Sequence, residues 1–453
     1  MEQYATCEKT PKTEKLASLL RLAYPETEGE CFVVRAPGRV NIIGEHLDYN
    51  GYGVLPMALS QAIFLAAGSV ISPRHDGDLK ISSEDSTLEK FEGSIAECLE
   101  FAANGPPKPL KWYHYVLCGF RGIYDYTVEN GLPWKSPSMR VLVGHGSGDE
   151  CLPMCAGLSS SSALVVAAAL ATARCTQLQI DPFTLAELCA RCERLIGTQG
   201  GGMDQAACLL ANESPIFIEF TKPKITVVPV AIPPSGCFVI VDSGVRLHKA
   251  ASPLFNQRVS ECRIAVQQIL SELCKVDGGE AAQTLSDIQR LWGKAEPGQM
   301  LGEESPLQRK FKRPTENLPV LRAKHVYSEA QRVLDFRKQC ERFANATGDN
   351  VEAVLQNLGE LMNGSQDSCR DFYECSCPEI DRLVKVCRSA GAYGSRLTGA
   401  GWGGCVVSLV SEATVKDFMK QVASEYFRQS VEALSSQIFY SVPGRAAGFV
   451  RVD

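Results

Sequence analysis

The sequence has no excess of positive charge and no apolar run long enough to cross a bilayer. Its formal net charge is −6 at pH 7, and its isoelectric point lies near 5.7. Proteins whose main partner is a nucleic acid or an anionic membrane normally carry a basic surface, so we expect neither partner. A transmembrane helix needs about 20 predominantly apolar residues, and no segment approaches that length. Any phosphate chemistry must therefore come from a local site.

Residues 1–20 also lack the apolar core of a secretory signal, so we expect a cytoplasmic protein. Internal repeats are absent. The 19 cysteines are scattered through apolar segments and lack the paired spacings of a zinc site. Cys189 and Cys192 form a CxxC pair, but both fall on the apolar stripe of a predicted helix. We interpret most of the cysteines as buried apolar residues in a reducing compartment.

What the sequence does contain is ordinary for a large globular protein. Its 453 residues are 45% hydrophobic and 22% charged, and a chain of this length exceeds what one core supports. The linker signal PPSG at 233–236 divides it. We predict one domain over 1–234 and a second over 235–453. The charged stretch at about 275–320 has little apolar periodicity, and we interpret it as a variable insertion.

The segment PMCAGLSSSSA at 153–163 places a glycine and four serines directly before an alanine-rich helix. The first backbone N–H groups of a helix have no partner within the helix, and the helix dipole favours negative charge there. The segment therefore indicates a phosphate-binding loop. A serine-rich linker before a buried helix is the alternative, and the segment alone does not separate the two.

Two arginines, Glu45, His46 and Asp48 lie among glycines in the stretch RAPGRVNIIGEHLDY at 35–49. Such a mixture of donors and acceptors between apolar strands is typical of sites for polyhydroxylated ligands, because each ligand hydroxyl needs both. The alternative is a surface loop with ordinary ion pairs, such as Arg39 with Glu45.

Two glycine-rich segments complete the set. In GGGMDQ at 200–205, the glycines allow a close approach to a ligand, and Asp204 behind them is placed to act on it. Its alternative role is to cap the following helix. The segment GSRLTGAGWGG at 394–404 holds five glycines before a strand and predicts a close backbone approach.

These four segments, in this order, resemble the galactokinase branch of the GHMP small-molecule kinases, over nearly the whole chain. The segments AKHVYSE at 323–329 and YECSCPE at 373–379 are similar to the subgroup with N-acetylgalactosamine kinases and some eukaryotic galactokinases. The resemblance implies an α+β fold of two domains. The N-terminal domain would be of the ribosomal protein S5 domain 2 type and the C-terminal domain ferredoxin-like, with the active site between them.

The resemblance also implies roles for individual residues. The catalytic residues would be Asp204 and Arg39, with Arg39 keeping the carboxylate ionised. The sugar would contact Arg39, Glu45, His46, Asp48, Gly201, Asp204 and Phe255. The nucleotide phosphates would contact Gly157, Leu158, Ser159, Ser160, Ser161 and Ser162. Mg²⁺ would be held by Ser160 and Glu193.

Two positions depart from the family pattern. Cys155 stands where the phosphate loop usually has glycine or serine, and Phe255 stands where many galactokinases have a sugar-contacting tyrosine. The implied activity is the ATP-dependent phosphorylation of galactose at its C1 hydroxyl. N-acetylgalactosamine as the acceptor is an alternative, and a galactose and ATP sensor without turnover is another. We expect a monomer whose partners are the sugar and ATP.

Overall fold

The computed structural model describes residues 4–27, 31–70, 77–135, 137–144, 150, 152–220, 224–246, 252–273, 282–303, 305, 307, 317–345 and 351–451. Strands and helices alternate irregularly along the chain. The strands are β1 (Ala5–Cys7), β2 (Phe32–Ile43), β3 (Leu55–Val70), β4 (Asp78–Ser83), β5 (Phe91–Ser94), β6 (Ser138–Gly144), β7 (Ile216–Glu219), β8 (Thr226–Pro229), β9 (Gly236–Asp242), β10 (Gly394–Thr398), β11 (Cys405–Ser411), β12 (Ile438–Ser441) and β13 (Gly448–Arg451).

The strands form sheets of seven, four and two strands, the last being the pair β7 and β8, and the helices connect and cover them. They are α1 (Pro11–Ala23), α2 (Ile95–Glu100), α3 (His114–Glu129), α4 (Ser160–Cys175), α5 (Pro182–Glu193), α6 (Met203–Leu210), α7 (Leu254–Leu273), α8 (Leu285–Leu291), α9 (Leu318–Asn345), α10 (Val351–Ser368), α11 (Pro378–Ser389) and α12 (Val415–Val422). Shorter helical turns include Asp48–Asn50, Arg194–Ile196, Pro297–Leu301 and the π-helical turn Cys369–Tyr373. None of these described helices has the length and apolarity needed to span a membrane.

The first sheet has the strand order β1-β13-β2-β3-β6-β4-β5, and its centre is the long antiparallel pair of β2 and β3. Helix α4 packs on this pair and on the helices α3, α5 and α6. It is buried on nearly all sides, and its alanine-rich composition fits that position because small side chains allow close packing all round. The sheet and α4 thus fix where the phosphate loop begins.

The second sheet has the order β10-β11-β9-β12 and is antiparallel throughout. Helices α10, α11 and α12 pack against it. One strand crosses the boundary predicted at 234/235, because β13 inserts between β1 and β2 of the first sheet. This strand occupies the edge of β2, which would otherwise present unpaired backbone groups.

Local signals explain several helix ends. The predicted start at Asp181–Pro182 is confirmed, since the Asp181 carboxylate accepts bonds from the N–H groups of Phe183 and Thr184 at 3.1 Å. Helix α5 ends at Glu193, and the following turn closes at Gly197, where φ is +93°. Glu193, the last residue of the helix, is buried.

The predicted insertion contains more structure than its sequence suggests. Residues 274–281, 304, 306 and 308–316 lie outside the described part, but the remainder includes α8 and the turn Pro297–Leu301. Helix α8 buries Leu285 and Ile288. Seven residues form only two turns, which is too short for an apolar period to be visible in the sequence.

Candidate active site

A cleft lies between the two halves of the chain. Residues from all four segments singled out in the sequence line it, although the segments are up to 360 positions apart in the numbering. Its walls include Arg39, Glu45, His46, Asp48, Tyr49, Ser162, Glu193, Asp204, Gln205, Phe255, Gly399 and Ala400. The fold therefore brings most of the predicted sugar residues, both predicted catalytic residues and Glu193 to one cleft, whereas Ser160 and Gly201 are not among its lining residues.

Arg39 connects the carboxylate of Asp204 with the predicted phosphate loop. Its Nε donates to Asp204 Oδ1 at 2.8 Å, and its Nη1 donates to the carbonyl oxygen of Gly157 at 2.7 Å. Its backbone N–H lies 3.2 Å from Leu158 O and 3.1 Å from Ser159 Oγ. The Arg39 side chain is 3% exposed, and a guanidinium this deeply buried requires paired acceptors. It therefore fixes Asp204 and the loop relative to each other.

The predicted phosphate loop turns sharply before helix α4. Gly157 has φ +77°, and Ser159, which precedes the helix, has φ +57°. Leu158 is fully buried, and its carbonyl oxygen accepts from the backbone N–H of Arg39. Ser160 is the first helical residue and is buried, and Ser161 beside it is half-buried.

The backbone of the glycine-rich turn between β10 and β11 is in direct contact with the backbone of this loop. A Cβ atom at Gly399 would lie 2.4 Å from the carbonyl oxygen of Gly157, and one at Gly404 would lie 2.9 Å from that of Ala156. Both glycines also have positive φ, at +86° and +76°. The close backbone approach predicted from the five glycines is confirmed.

The side-chain amide of Gln205 links Glu193 and Ser162. Gln205 Nε2 donates to Glu193 Oε2 at 2.5 Å and to Ser162 Oγ at 3.4 Å, and all three side chains are buried. Gln205 had no role among the residues singled out in the sequence, although it follows Asp204 directly. Ser160, to which the metal role was assigned, lies two residues before the hydroxyl that joins this cluster.

Glu45 is held deep in the site by protein donors. Its Oε1 accepts from Gly399 N at 2.5 Å, its Oε2 accepts from Asn41 Nδ2, and Arg396 Nη1 lies 3.7 Å from Oε1. Burial raises the pKa of Glu45, with Arg396 and Arg39 acting in the opposite direction. Arg39 forms its salt bridge with Asp204 rather than with Glu45.

Asp48 and His46 line the cleft together with Glu45. Asp48 Oδ2 accepts from the N–H groups of Gly201 at 3.1 Å and Met203 at 3.3 Å, which ties the sugar segment to the turn before Asp204. His46 lies with its ring 5.7 Å from that of Phe255 and has φ +63°. A left-handed conformation at a non-glycine residue is strained and clusters at functional sites.

A second buried carboxylate, that of Glu329, contacts the backbone of the sugar segment from outside the cleft. Glu329 is fully buried, accepts from Gly44 N at 2.9 Å and pairs with Arg332 at 2.8 Å. Burial opposes its charge, but Arg332, Arg396, His325 and the hydroxyl of Ser365 together lower the pKa of Glu329 to about 2. The carboxylate is therefore ionised at every pH at which the protein is expected to function.

His325, on the same helix as Glu329, contacts the backbone of the sugar segment. Its Nε2 lies 3.1 Å from the carbonyl oxygen of Glu45, and its Nδ1 lies 2.9 Å from Ser368 Oγ. Burial lowers the pKa of His325 to about 4, so the ring is neutral at pH 7, donating from Nε2 and accepting at Nδ1. Both buried residues come from the segment at 323–329, which the sequence linked to a subgroup but to no structural role.

Comparison with known proteins agrees with this architecture. Three family signatures match: the galactokinase galactose-binding signature over residues 23–69, the GHMP kinases N terminal domain over 139–212, and the GHMP kinases C terminal over 350–429. The galactokinase of Dictyostelium discoideum is 34% identical over 92% of this chain and 90% of its own length. The chain belongs to the galactokinase family. The galactokinase of Chloroflexus aggregans is 33% identical over 87% of each chain.

Solved structures show the same fold. Lactococcus lactis galactokinase complexed with galactose superimposes with a TM-score of 0.75 and 24% identity, covering 96% of this chain and 98% of that one. The mevalonate kinase of L. major, in complex with R-mevalonate, gives 0.53 and 18%, covering 97% and 100%. The family, the fold class and the kinase activity implied by the four motifs are confirmed. Membership of this galactokinase family implies ATP as the co-substrate.

Proposed function

We propose that the protein transfers the γ-phosphoryl group of ATP to the C1 hydroxyl of galactose, giving galactose 1-phosphate and ADP. The observation that carries the proposal is the position of Asp204. Its carboxylate is bonded to Arg39, which also holds the carbonyl of Gly157 in the phosphate loop. The same cleft contains Glu45, His46, Asp48 and Phe255, four of the other proposed sugar contacts. The ion pair of Arg39 and Asp204 therefore lies between the proposed sugar pocket and the proposed phosphate loop.

Asp204 and Arg39 are the proposed catalytic residues. Phosphoryl transfer depends mainly on positioning and charge stabilisation, so the Arg39 guanidinium and the backbone donors of the loop provide most of the rate enhancement. Asp204 accepts the proton of the sugar hydroxyl, an effect typically worth roughly a hundredfold to ten-thousandfold. Arg39 favours the ionised form of the carboxylate, which orients it and limits its strength as a base.

The proposed sugar contacts are Glu45, His46, Asp48, Gly201 and Phe255, together with the catalytic pair. The proposed phosphate contacts are Gly157 to Ser162, of which Leu158 is fully buried and bonded through its carbonyl oxygen to the N–H of Arg39. The start of helix α4 in this loop provides backbone donors and a favourable dipole for the phosphates.

The residues of the cleft fit Mg²⁺. The ion prefers oxygen donors and is usually held by one or two carboxylates plus substrate phosphates. The buried Glu193 carboxylate offers one such ligand, and the Ser162 hydroxyl contacts the same Gln205 amide. Among the described residues no group of three or more His, Cys, Asp or Glu is suited to a metal. Glu193 and Ser160 would hold the ion, and Gln205 orients Glu193. When bound, Mg²⁺ neutralises phosphate charge.

N-acetylgalactosamine is a second candidate acceptor because of Phe255. Its ring lies against His46 and Tyr49, at 5.7 Å from each ring centre, and it has no hydroxyl to contact a sugar. An apolar ring at this position can contact the methyl of a 2-acetamido group. A hydroxyl-binding tyrosine would favour the smaller sugar.

We further propose a cytoplasmic monomer that acts on free sugar and ATP. The net charge of −6 gives no support for a nucleic-acid partner. Size-exclusion chromatography with light scattering tests the oligomeric state, and a dimer at micromolar concentration would contradict it.

The function is tested by ADP release with each sugar in turn. We expect ADP only when a sugar is present, and kcat/KM for galactose and N-acetylgalactosamine identifies the preferred acceptor. In Asp204→Asn the carboxylate is lost while its volume remains, so we expect kcat to fall at least a hundredfold. Near-normal turnover of this variant would contradict the role of Asp204. Tight sugar binding without ADP in the wild type would instead favour a sensor.

A further inference from the structure

A chain of hydrogen bonds leads from His46 into the protein interior. His46 Nδ1 lies 2.7 Å from the hydroxyl of Tyr49, which lies 2.6 Å from the hydroxyl of Tyr373. That hydroxyl lies 3.3 Å from Cys262 Sγ. On the other side of the ring, His46 Nε2 lies 3.1 Å from the carbonyl oxygen of Ala400, in the glycine-rich turn. The chain therefore spans from the cleft to helix α7.

The direction of the protons in this chain follows from its ends. The Ala400 carbonyl can only accept, so Nε2 of the neutral ring carries the proton and Nδ1 accepts. Tyr49 then donates to Nδ1, Tyr373 donates to Tyr49, and the thiol of Cys262 is the donor to Tyr373. Burial raises the pKa of both tyrosines well above the usual value and that of Cys262 to about 11. All three groups keep their protons at neutral pH.

Tyr373 is held rigidly at the middle of the chain. It is fully buried, with its ring stacked on His46 at 4.5 Å between centres and tilted against His325 at the same distance. Its π-helical turn is fixed by the buried Arg322, whose Nη1 donates to the carbonyl of Phe372 at 2.5 Å. Such π-helical turns are often found at functional sites. The tyrosine hydroxyl cannot leave the chain without disturbing this packing.

We propose that Tyr49 and Tyr373, with Cys262 behind them, are positioning residues for His46. They supply the donor to Nδ1 and, together with the Ala400 carbonyl at Nε2, fix the plane of the ring in the sugar pocket. The inference rests on the proposed role of His46 in sugar binding. Loss of the Tyr49 hydroxyl leaves Nδ1 without its donor, so the ring is held only at Nε2 by the Ala400 carbonyl and can tilt from its position in the sugar pocket.

A double-mutant comparison tests this inference. KM for the preferred sugar and for ATP is measured in wild type, Tyr49→Phe, His46→Ala and the double variant. A hydrogen bond to a buried partner contributes enough to change binding about tenfold. We expect Tyr49→Phe to raise the sugar KM about tenfold in the wild type but less than twofold in His46→Ala, with the ATP KM unchanged in both. Residues that act through one another show this non-additivity.

Two further variants separate positioning from packing. Tyr52→Phe removes a buried hydroxyl that bonds Gln289 at 2.7 Å and does not face His46, so the sugar KM should change less than twofold. At the far end of the chain, Cys262→Ser keeps a donor for Tyr373 whereas Cys262→Ala removes it. The alanine variant should raise the sugar KM several-fold and the serine variant should restore it.

The outcomes are distinct. An equal effect of Tyr49→Phe in both backgrounds, or an equal rise of the ATP KM, overturns the inference and leaves the proposed function intact. A His46→Ala variant with a normal sugar KM overturns the inference together with the role of His46. If the wild type releases no ADP with either sugar, the proposed function fails. The same four proteins then test the inference through sugar affinity measured by calorimetry.

Discussion

Two residues of the phosphate loop have a backbone conformation that L-amino acids rarely adopt. Cys155 has φ +55° and Ser159 has φ +57°. Each such residue costs roughly 1–2 kcal/mol. Ser159 has a visible compensation, since its hydroxyl accepts the backbone N–H of Arg39. For Cys155, the left-handed backbone is one that glycine adopts without strain and cysteine does not.

We predict that Cys155→Gly leaves activity intact or raises the affinity for ATP. Glycine adopts positive φ without strain, which offsets its greater entropy in the unfolded chain. The dissociation constant for ATP, measured by calorimetry, and the melting temperature test this. Cys155→Ala is the control, because it removes the thiol but retains the Cβ and its strain, so it should gain nothing. A large loss of ATP binding in Cys155→Gly would mean that the thiol belongs to the cradle.

The role of a residue could be predicted when the residue belongs to a recognisable sequence motif. It could not be predicted when the role depends on partners that only the fold brings into contact. Asp204 and Arg39 stand in short segments whose composition already suggested chemistry. Gln205 and Asn41 were given no role, because an amide is identified by its partners, and these come from distant segments. The same holds for Tyr49, whose contact with Tyr373 joins residues 324 positions apart.

The turn before α6 shows how an element determines the position of a catalytic residue. At Gly201 a Cβ atom would lie 2.4 Å from Tyr49 N and 2.6 Å from Asp48 Cγ, whereas at Gly200 nothing lies within 4 Å. The Gly201 N–H also donates to Asp48. The first glycine is therefore open to substitution, and the second forms the contact between the sugar segment and the catalytic turn.

We predict that Gly201→Ala raises the sugar KM at least tenfold, because the Cβ must displace the backbone that holds Asp48. Gly200→Ala is the matched control and should stay within twofold of wild type for both substrates. Steady-state kinetics with sugar and ATP varied separately give the comparison. Similar effects of the two substitutions would show that the turn is sensitive as a whole and that the contact with Asp48 is not the cause.

Elements were predictable in proportion to their length and periodicity. Helix α4 is alanine-rich over four turns, and helix α5 carries its N-cap and proline in the sequence. Helix α8 lacks that length. Strand β13 could not be assigned to the first sheet, because a four-residue strand acquires its partners only through the tertiary fold.

At the scale of the whole molecule, a buried charged network joins the two halves. Arg396 on β10 donates to the carbonyl of Asn41 on β2 at 3.1 Å and lies 4.0 Å from Glu329 on α9. Arg396, Glu45 and Glu329 are all essentially unexposed. Removing one member of such a network leaves an uncompensated charge and is strongly destabilising, so the network fixes the cleft between the halves.

The network also makes stability depend on pH. The pKa of His325 is about 4 in the folded protein and about 6.5 in an unfolded chain. In the unfolded chain the imidazole of His325 is therefore protonated below about pH 6.5, whereas in the folded protein it is protonated only near pH 4. Stability is complete above about pH 6.5 and is lost as the pH falls toward 4. Glu329, with a folded pKa of about 2 against 4.5, adds a further loss below about pH 4.5.

We predict that the free energy of unfolding falls by about 2 kcal/mol more in wild type than in His325→Gln between pH 7 and pH 5. The glutamine variant is less stable at pH 7 because the packing changes, but it has no imidazole to titrate, so its curve over this interval is flatter. Urea denaturation at the two pH values measures the difference. His114→Gln, which removes a half-buried histidine outside the network, should keep most of the wild-type slope. Parallel curves for wild type and His325→Gln would mean that His325 does not resist protonation in the folded protein.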